Sequence, residues 1–394
     1  MLQLTVMRHA GGNRIEITYP GETTLTDPNA EGKYRVGAIG IGRKGAQHAR
    51  AYRIHPLTRI VAAADTDEEN LEIFCRRFNI PGYADHREML EKEEIDIAAP
   101  ILPVQPNPGV VMDCAEAGVK AILCEKPIAS SLEDADRMVA ACKSRGIKFG
   151  SGDLDVNLPD HGKARGMIDS GELGDVKSVT FYGGSGTEMS GGGCQLFSLM
   201  RFYAGSVDVA WMTGWVANDA WSDYDQGGAG YVRFVNGVEG FIHRESDSRT
   251  GLEVALTGGV IRYANPMVGL WKADGSGGYE KVDAGFRETP MRTSASYEPD
   301  GWKWPGDRNL ASVGGTVDAL ENDTEPIGSG DNGRRVLEMA IAIRESHRQG
   351  HAPVRLPLED RSLRMIPSPS RWQYKKPQIG REAYMTQIAA QVKD

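Results

Sequence analysis

The stretch that decides the fold is YRVGAIGIGRKG, residues 34–45. A short β-prone apolar run ends at a turn containing Gly40, Gly42 and Gly45, and a helix-prone segment begins there. Glycine lets such a turn close and lets backbone approach a pyrophosphate, while the helix amino terminus offers free N–H groups to phosphate. By itself the motif fits a dinucleotide site and a plain glycine-rich turn equally well; a dinucleotide bound here would be expected to contact Ile41, Arg43 and Lys44 as well.

Asp65 favours the dinucleotide site. It ends the second β-prone run, RIVAAAD, twenty residues beyond Gly45. A carboxylate at that place accepts hydrogen bonds from the adenosine ribose hydroxyls and repels a 2′-phosphate. We therefore expect NAD rather than NADP as the cofactor, although Arg43 is a cation that would suit such a phosphate.

Strand-like and helix-like segments alternate from Tyr34 to about residue 152. This rhythm predicts α/β structure with a doubly wound parallel sheet, an N-terminal Rossmann domain over residues 34–152. Beyond it, β-prone stretches separated by glycine turns predict a C-terminal α/β domain over 153–357, with a large, mostly antiparallel open sheet and a final helix at about 331–349. An aromatic, glycine- and proline-rich stretch from about 264 to 310 is interpreted as an irregular loop.

Both termini extend beyond these domains. Alternating apolar and polar residues around a glycine pair predict a hairpin in an N-terminal extension, residues 1–33. Residues 358–394 are interpreted as a C-terminal extension. No apolar run reaches the roughly 20 residues needed to span a bilayer, and the amino terminus lacks a signal-peptide core, so we expect a cytoplasmic protein.

Composition restricts the class of partner. The 394 residues are 40% hydrophobic and 25% charged, with a formal net charge of −9. This balance predicts no broad basic face, so nucleic acid and membrane are poor candidates and a small molecule remains. The five cysteines are widely spaced without a CxxC pair, which indicates reduced core residues rather than disulfides or a zinc site. No spacing of side chains is typical of a metal site.

The segment AILCEKPIAS, residues 121–130, ends a later strand with two opposite charges and a proline. In an open parallel sheet the ligand binds at the carboxyl ends of the strands. Lys126 would then lie beside the nicotinamide and relay the proton of a substrate hydroxyl, with Glu125 near the nicotinamide ribose or in the charge balance of the site. The alternative is a surface Glu–Lys pair, which a dinucleotide site on the same edge disfavours.

AGVKAILCEKP, preceded by GAIGIGRKG and AAADTDEE, resembles the glucose-fructose oxidoreductase / inositol dehydrogenase / rhizopine-catabolism (Gfo/Idh/MocA) family. IDSGELGDVKSV and NGRRVLEMAIAIRESHRQGHAPVRLP resemble further framework segments, so the likeness runs from about Tyr34 to Pro357. The resemblance implies an NAD(P)-binding Rossmann domain, oxidation or reduction of sugars and polyols, and homodimers or homotetramers formed through the open sheet. The family's lysine falls on Lys126, and its cofactor loop falls on Leu102, Pro103 and Gln105.

The resemblance breaks in the second domain. The family brings an aspartate and a histidine, spaced DxGxH, to face the lysine, and here the corresponding positions hold Gly191 and Gln195. Gln195 can hydrogen-bond a hydroxyl but cannot exchange a proton near neutral pH. Either another group replaces the missing pair or the chemistry differs.

The stretch SGDLDVNLPDHGKAR contains the candidate replacements Asp153, Asp155 and His161. Asp153 and Asp155 have the same parity on an extended segment and can share a face. His161, at a predicted helix start, is either the acid–base group or an exposed histidine beside a capping Asp160. The sequence leaves both interpretations open.

Three functions are consistent with these features. The leading one is an NAD-dependent oxidoreductase of a sugar or cyclitol, in which Lys126 relays the proton together with His161, Asp155 or Asp153. The second makes the oxidation transient, so that elimination or hydrolysis of a glycoside follows and NAD is regenerated. The third is a non-catalytic dinucleotide or sugar sensor, against which the retained Lys126 argues.

Overall fold

The structure is a computed structural model that describes residues 3–9, 12–18, 24–25, 32–152, 155–183, 188–243, 251–264, 267–286 and 308–367. Its first three segments are the strands β1 (Gln3–His9), β2 (Gly12–Thr18) and β3 (Thr24–Leu25). β1 and β2 pair antiparallel in continuous register, as the alternation around the glycine pair predicts. β3 adds to β2, which gives a small three-stranded sheet.

A six-stranded parallel sheet forms within residues 32–152. Its strands are β4 (Tyr34–Ile39), β5 (Thr58–Ala64), β6 (Gly82–Tyr83), β7 (Ile97–Pro100), β8 (Ala121–Cys124) and β9 (Lys148–Ser151). Their order is β6-β5-β4-β7-β8-β9, so the direction of winding reverses between β4 and β7. Such a reversal opens a crevice for ligand at the carboxyl ends of the strands. The predicted doubly wound sheet is confirmed.

Helices connect these strands: α1 (Arg43–Ile54), α2 (Glu68–Phe78), α3 (His86–Lys92), α4 (Asn107–Glu116) and α5 (Leu132–Ser144). α2 and α5 begin at the capping side chains of Asp67 and Ser131, each of which accepts a hydrogen bond from a backbone N–H of the first turn. α1 follows Gly42 without a side-chain cap and has no acidic residue in its first turn. The amino terminus of α1 is thereby suited to receive an anion from outside the chain.

A second sheet forms beyond residue 175. In the part of the chain that the structure describes, its strands are β10 (Val176–Tyr182), β11 (Val209–Val216), β12 (Gly228–Phe234), β13 (Glu239–His243), β14 (Gly251–Leu256), β15 (Gly259–Ala264), β16 (Met267–Ala273), β17 (Tyr279–Val282) and β18 (Val354–Arg355). The order is β17-β16-β15-β14-β10-β13-β12-β11-β18, with β10 and β13 parallel and the other pairs antiparallel. The expected large, mostly antiparallel sheet is confirmed.

The helices of this part are α6 (Pro159–Asp169), α7 (Cys194–Tyr203), α8 (Arg308–Glu321) and α9 (Gly330–Arg348), preceded by a 3-10 turn at Asp155–Asn157. α7 and α9 pack on one face of the second sheet, and α9 also contacts β9 of the first sheet. α9 therefore connects β9 of the first sheet to the second sheet.

The interpretation of residues 264 to 310 as an irregular loop is wrong for the segments that form β16, β17 and the start of α8. β16 pairs along its whole length with β15, and β17 extends the sheet beyond it. Glycines and charged residues interrupt the apolar pattern of these strands. Pairing with the neighbouring strands, rather than local β-propensity, therefore determines that they form. α8 packs on the first sheet, where Val313 and Val317 join a buried cluster with Val36 and Tyr52.

The described part of the predicted C-terminal extension, residues 358–367, lies against α5. The backbone N–H groups of Leu132 and Glu133 donate to the carbonyl oxygens of Leu363 (3.0 Å) and Arg361 (2.8 Å). The guanidinium of Arg361 also contacts Asp136 of α5 at 2.7 Å and the buried Glu338 of α9. This segment therefore joins a helix of the first sheet to a helix of the second. No described helix has the length and apolarity required to cross a bilayer.

Candidate active site

The turn between β4 and α1 has the geometry of a phosphate-binding loop. Gly40 has φ +78°, which favours glycine, and its N–H donates to the Ala64 carbonyl oxygen at 2.8 Å. A Cβ on Gly45 would lie 1.9 Å from the Gly40 carbonyl oxygen, so the helix reaches this turn only because residue 45 is glycine. A Cβ on Gly42 would meet no protein atom within 4 Å, so this side of the turn faces open space.

Asp65 lies directly beside that turn. One of its carboxylate oxygens accepts a hydrogen bond from the Ile41 N–H (2.8 Å), and the other accepts one from the Asp67 N–H (2.9 Å). These bonds fix the carboxylate at the end of β5. Each carboxylate oxygen has more than one lone pair, so it can accept more than one hydrogen bond.

The other predicted cofactor contacts are distributed around the turn. Leu102 packs against Gly40, since a Cβ there would lie 2.4 Å from Leu102 Cδ2. Pro103 and Gln105 are exposed on the same loop, and the side chain of Arg43 lies outside the described residues. An uncapped helix end, a close-packed glycine turn and an open side at Gly42 together fit the pyrophosphate of a dinucleotide.

Glu125 connects this turn to the end of β8. Its side chain is buried, and its Oε2 lies 3.2 Å from Nε2 of the buried His48 on α1. Burial raises the pKa of Glu125, but the hydrogen bond with His48 and the charges of Lys44 and Lys126 outweigh this effect and lower the pKa to about 2. Glu125 is therefore an anion near neutral pH. Sequence reasoning missed His48, whose only signal is its place three residues after Gly45.

Asn107 holds the backbone on both sides of Lys126. Its buried side-chain amide donates to the carbonyl oxygens of Glu125 (3.3 Å) and Pro127 (3.2 Å), and the Lys126–Pro127 peptide bond is cis. Asn107 stands at the first position of α4, directly after the loop expected to contact the cofactor. Sequence reasoning gave Asn107 no role.

Lys126 faces the second sheet's helices. Its half-buried side chain donates from Nζ to the carbonyl oxygen of Gly191 at 3.2 Å. Gly191 precedes α7 and occupies the position where the resemblance expects an aspartate. In this chain a backbone carbonyl thus contacts the lysine at the place of the missing carboxylate.

Gln195, at the place of the missing histidine, is bonded to backbone at both ends of its amide. Its Oε1 accepts from the Asp155 N–H (2.9 Å) and its Nε2 donates to the Gly152 carbonyl oxygen (3.3 Å). Gly152 follows β9 and donates its own N–H to the Cys124 carbonyl oxygen at 2.6 Å. Gln195 therefore ties the start of α7 to the segment that leaves the first sheet beside the end of β8.

Asp155 is buried with a cation and a phenol. Its carboxylate lies 3.0 Å from Arg308 Nε and accepts a hydrogen bond from the Tyr263 hydroxyl at 3.1 Å. Arg308 also donates to that hydroxyl, at 3.2 Å. These contacts hold the Asp155 side chain within the second domain. Its predicted companion Asp153 lies outside the described residues.

His161 is fully buried, so the interpretation as an exposed helix-start histidine is wrong. Its Nδ1 lies 2.7 Å from the Tyr203 hydroxyl, and its ring packs edge-on against Tyr263 with 4.6 Å between centroids. Burial, followed by the charge of Arg308, lowers the pKa of His161 to about 3. The imidazole is therefore neutral near pH 7, which disfavours the acid–base role considered for it. The N-cap of α6 is Leu158, which forms no side-chain cap, so Asp160 is not the N-cap.

A search of the described residues for metal ligands finds no group of three or more His, Cys, Asp or Glu side chains able to hold a metal ion. The polar side chains around Lys126 instead pair with backbone groups and with each other.

The residues that form the first sheet match a known protein family. Residues 34–152 match the sequence model of a family described as an oxidoreductase family with an NAD-binding Rossmann fold. The matched range contains the glycine turn, Asp65, Glu125 and Lys126. The prediction of an NAD-binding Rossmann fold is confirmed by this match.

Two curated relatives illustrate the range of chemistry. D-apiose dehydrogenase of Paraburkholderia graminis is 35% identical over 116 residues, 29% of this chain and 31% of that protein. The 2,7-anhydro-N-acetylneuraminate hydratase of Escherichia coli is 30% identical over 142 residues, 36% of this chain and 37% of that protein. In its first matches the chain spans 31% to 46% of the length of the curated relatives.

Among solved structures, a levoglucosan dehydrogenase in complex with NADH and levoglucosan matches with a TM-score of 0.66. The two chains are 20% identical, and the match covers 82% of this chain and 99% of that one. At this identity the likeness is one of fold, and it agrees with the two-sheet architecture described above. Residues 34–152 are thus the NAD-binding Rossmann domain of the Gfo/Idh/MocA oxidoreductase family, and the likeness of the rest of the chain is one of fold.

Proposed function

We propose that this chain is an NAD-dependent oxidoreductase of a sugar, sugar derivative or cyclitol, with Lys126 as the proton relay. The observation that carries the proposal is the position of the Lys126 amine. Its neighbour Glu125 is bonded to His48 of the helix that begins at the glycine turn, and its own Nζ faces the start of α7. A group between the dinucleotide turn and a second domain is placed to contact both cofactor and substrate.

The roles of the chain's residues follow from their contacts. The backbone from Gly40 to Gly45 would hold the pyrophosphate, and Asp65 would accept the adenosine ribose hydroxyls. Bound NAD would accept hydride from a substrate carbon. Lys126 would hydrogen-bond the substrate hydroxyl and take its proton, and the buried anion Glu125 would balance the positive charge nearby.

The first experiment follows NADH absorbance at 340 nm with cofactor-stripped protein, NAD and a panel of polyols and sugars. We expect NADH formation with at least one member and a fall of about 100-fold or more in Lys126→Met, since acid–base help is commonly worth that much. NAD affinity should stay within about threefold, because the phosphates bind elsewhere. Lys120→Met is the matched control, since Lys120 is exposed and pairs with Asp96. Equal rates for Lys126→Met and wild type would contradict the proposal.

A second candidate function is transient oxidation with cofactor recycling. The similarity to a 2,7-anhydro-N-acetylneuraminate hydratase favours it, because the name of that relative describes no net oxidation. Oxidation of one ring carbon acidifies its neighbour, which permits elimination or hydrolysis before NAD is regenerated. Product release with substoichiometric NAD and no net change at 340 nm would support this candidate. If neither NADH formation nor product release is detected, the non-catalytic sensor is the function that remains.

We also propose that the chain forms homodimers or homotetramers through the open face of the second sheet. On that face, away from α7 and α9, Trp211, Tyr231 and Phe241 form a row across three neighbouring strands, with ring centroids 5.2 Å and 5.4 Å apart. Such rows favour association with a second copy. Light scattering of Phe241→Lys tests this, and an unchanged mass would contradict it. The five thiols, none in a disulfide, support a reducing compartment such as the cytoplasm.

A further inference from the structure

The carboxylate of Asp225 holds the turn that precedes α7. Asp225 is 3% exposed and lies just before β12. One carboxylate oxygen accepts from the N–H and the hydroxyl of Ser190, both at 2.6 Å. The other accepts from the N–H groups of Met189 (3.1 Å) and Gly227 (3.0 Å). Four donors satisfy a carboxylate that would otherwise be costly to bury.

The same turn presents the carbonyl that contacts Lys126. The Gly191 oxygen accepts from Lys126 Nζ at 3.2 Å and from Cys194 Sγ at 3.0 Å. Gly191 directly follows Ser190, and its carbonyl belongs to the Gly191–Gly192 peptide unit. The bonds from the Met189 and Ser190 N–H groups to Asp225 therefore anchor the chain immediately before the residue that carries this carbonyl. The turn is closed on its other side by the Gly193 N–H, which donates to the Glu188 carbonyl oxygen at 2.6 Å.

We propose that Asp225 is a positioning residue for Lys126. Its carboxylate fixes the Met189–Ser190 backbone, the fixed backbone aims the Gly191 carbonyl, and that carbonyl holds the amine of Lys126. The resemblance expects an aspartate at position 191 to face Lys126. In this chain Asp225, 34 residues downstream, holds the Lys126 amine instead, through the Gly191 backbone carbonyl. The catalytic consequence rests on the proposed function, whereas the positioning of the amine does not.

The test uses Asp225→Asn with Asp223→Asn as the matched control. Asparagine cannot accept from all four donors, because one side-chain oxygen is replaced by an NH₂ donor. Asp223 lies on the same segment, but its carboxylate pairs with Arg364 at 2.6 Å and does not contact the turn. In the proposed reaction, Asp225→Asn should lower kcat about tenfold or more, since small misplacements of reacting groups carry such costs. The KM for NAD should remain within about twofold, because the pyrophosphate turn is untouched.

A second readout does not require activity. Trace acetylation of lysines, quantified by mass spectrometry of the whole protein, reports how freely the Lys126 amine reacts. We expect its rate relative to Lys120 to rise several-fold in Asp225→Asn and to stay unchanged in Asp223→Asn. If wild type oxidises no polyol but this rise occurs, the positioning holds and the proposed function fails.

An unchanged Lys126 acetylation rate in folded Asp225→Asn would overturn the inference. If Asp225→Asn does not fold by its thermal melt, Ser190→Ala replaces it. This variant removes only the hydroxyl donor and keeps the Ser190 N–H bond to Asp225. We then expect a smaller rise in Lys126 acetylation, about twofold, and no rise at all would overturn the inference equally.

Discussion

Glu125→Gln tests the electrostatics on which the site depends. Burial raises the pKa of the Glu125 carboxyl, but His48 and the charges of Lys44 and Lys126 lower it overall, from 4.5 to about 2. With each pKa unit worth about 1.36 kcal/mol, the ionised carboxylate contributes about 3 kcal/mol to the free energy of unfolding near pH 7. Glutamine has the shape of the protonated carboxyl and no charge, so it removes that contribution.

The sign of the pH dependence follows from the lowered pKa. Because the folded-state pKa lies below the unfolded one, the stabilisation is complete above about pH 4.5 and is lost as the pH falls toward 2. We therefore expect Glu125→Gln to be less stable than wild type by about 3 kcal/mol at pH 7 and by only about 1 kcal/mol at pH 3.

Urea unfolding of the cofactor-free protein, followed by circular dichroism at pH 7, 5 and 3, measures this difference. Glu88→Gln is the control, since Glu88 is exposed and pairs with Lys92 one helical turn away at 2.6 Å. An exposed pair is worth less than about 1 kcal/mol, so this control should show little change at any pH. If the loss in Glu125→Gln were the same at pH 3 as at pH 7, it would come from packing, and the argument from charge would be refuted.

Three further predictions concern the cofactor turn and the backbone around Lys126. Gly45→Ala should lower the thermal stability of the cofactor-free protein, because its Cβ would lie 1.9 Å from a carbonyl oxygen, whereas Gly42→Ala should leave it unchanged. Both should weaken NAD binding about tenfold or more by calorimetry, since both crowd the phosphate turn, and normal binding by Gly42→Ala would contradict that placement. Asp65→Asn keeps an acceptor for the turn but loses the charge, so the ratio of NAD to NADP affinity should fall; an unchanged ratio would remove Asp65 from cofactor selection. Asn107→Ala should cost about 1–3 kcal/mol in urea unfolding because it removes the amide donor to the carbonyl oxygens of Glu125 and Pro127, and wild-type stability would show that those bonds are dispensable.

The parts of the fold that the sequence predicted are those with short-range signals. The Gly40–Gly45 motif lies within one strand, turn and helix, so its spacing alone specifies the local geometry. Asp65 and Lys126 could be placed because the carboxyl ends of parallel strands share one edge. β16 and β17 were missed because pairing with neighbouring strands, rather than their interrupted apolar pattern, determines them.

The contacts that define the surroundings of Lys126 join residues far apart in the chain. His48 reads as an ordinary helix residue until its distance of 3.2 Å to Glu125 is known. Asp225 lies in an unremarkable loop segment, and only the folded chain brings its carboxylate to Ser190. His161 shows the opposite case. Its residue type suggested acid–base chemistry, but burial lowers its pKa to about 3, far below neutral pH. Single-residue signals do not report burial or long-range partners, which decide these roles.

The proposed function requires that a dinucleotide on the glycine turn brings its nicotinamide to Lys126. A crystal structure of the protein with NAD tests it most directly. We expect the pyrophosphate over the backbone of Gly40, Gly42 and Gly45, and the Lys126 Nζ beside the nicotinamide. A dinucleotide bound elsewhere, or a nicotinamide out of reach of the Lys126 amine, would contradict it.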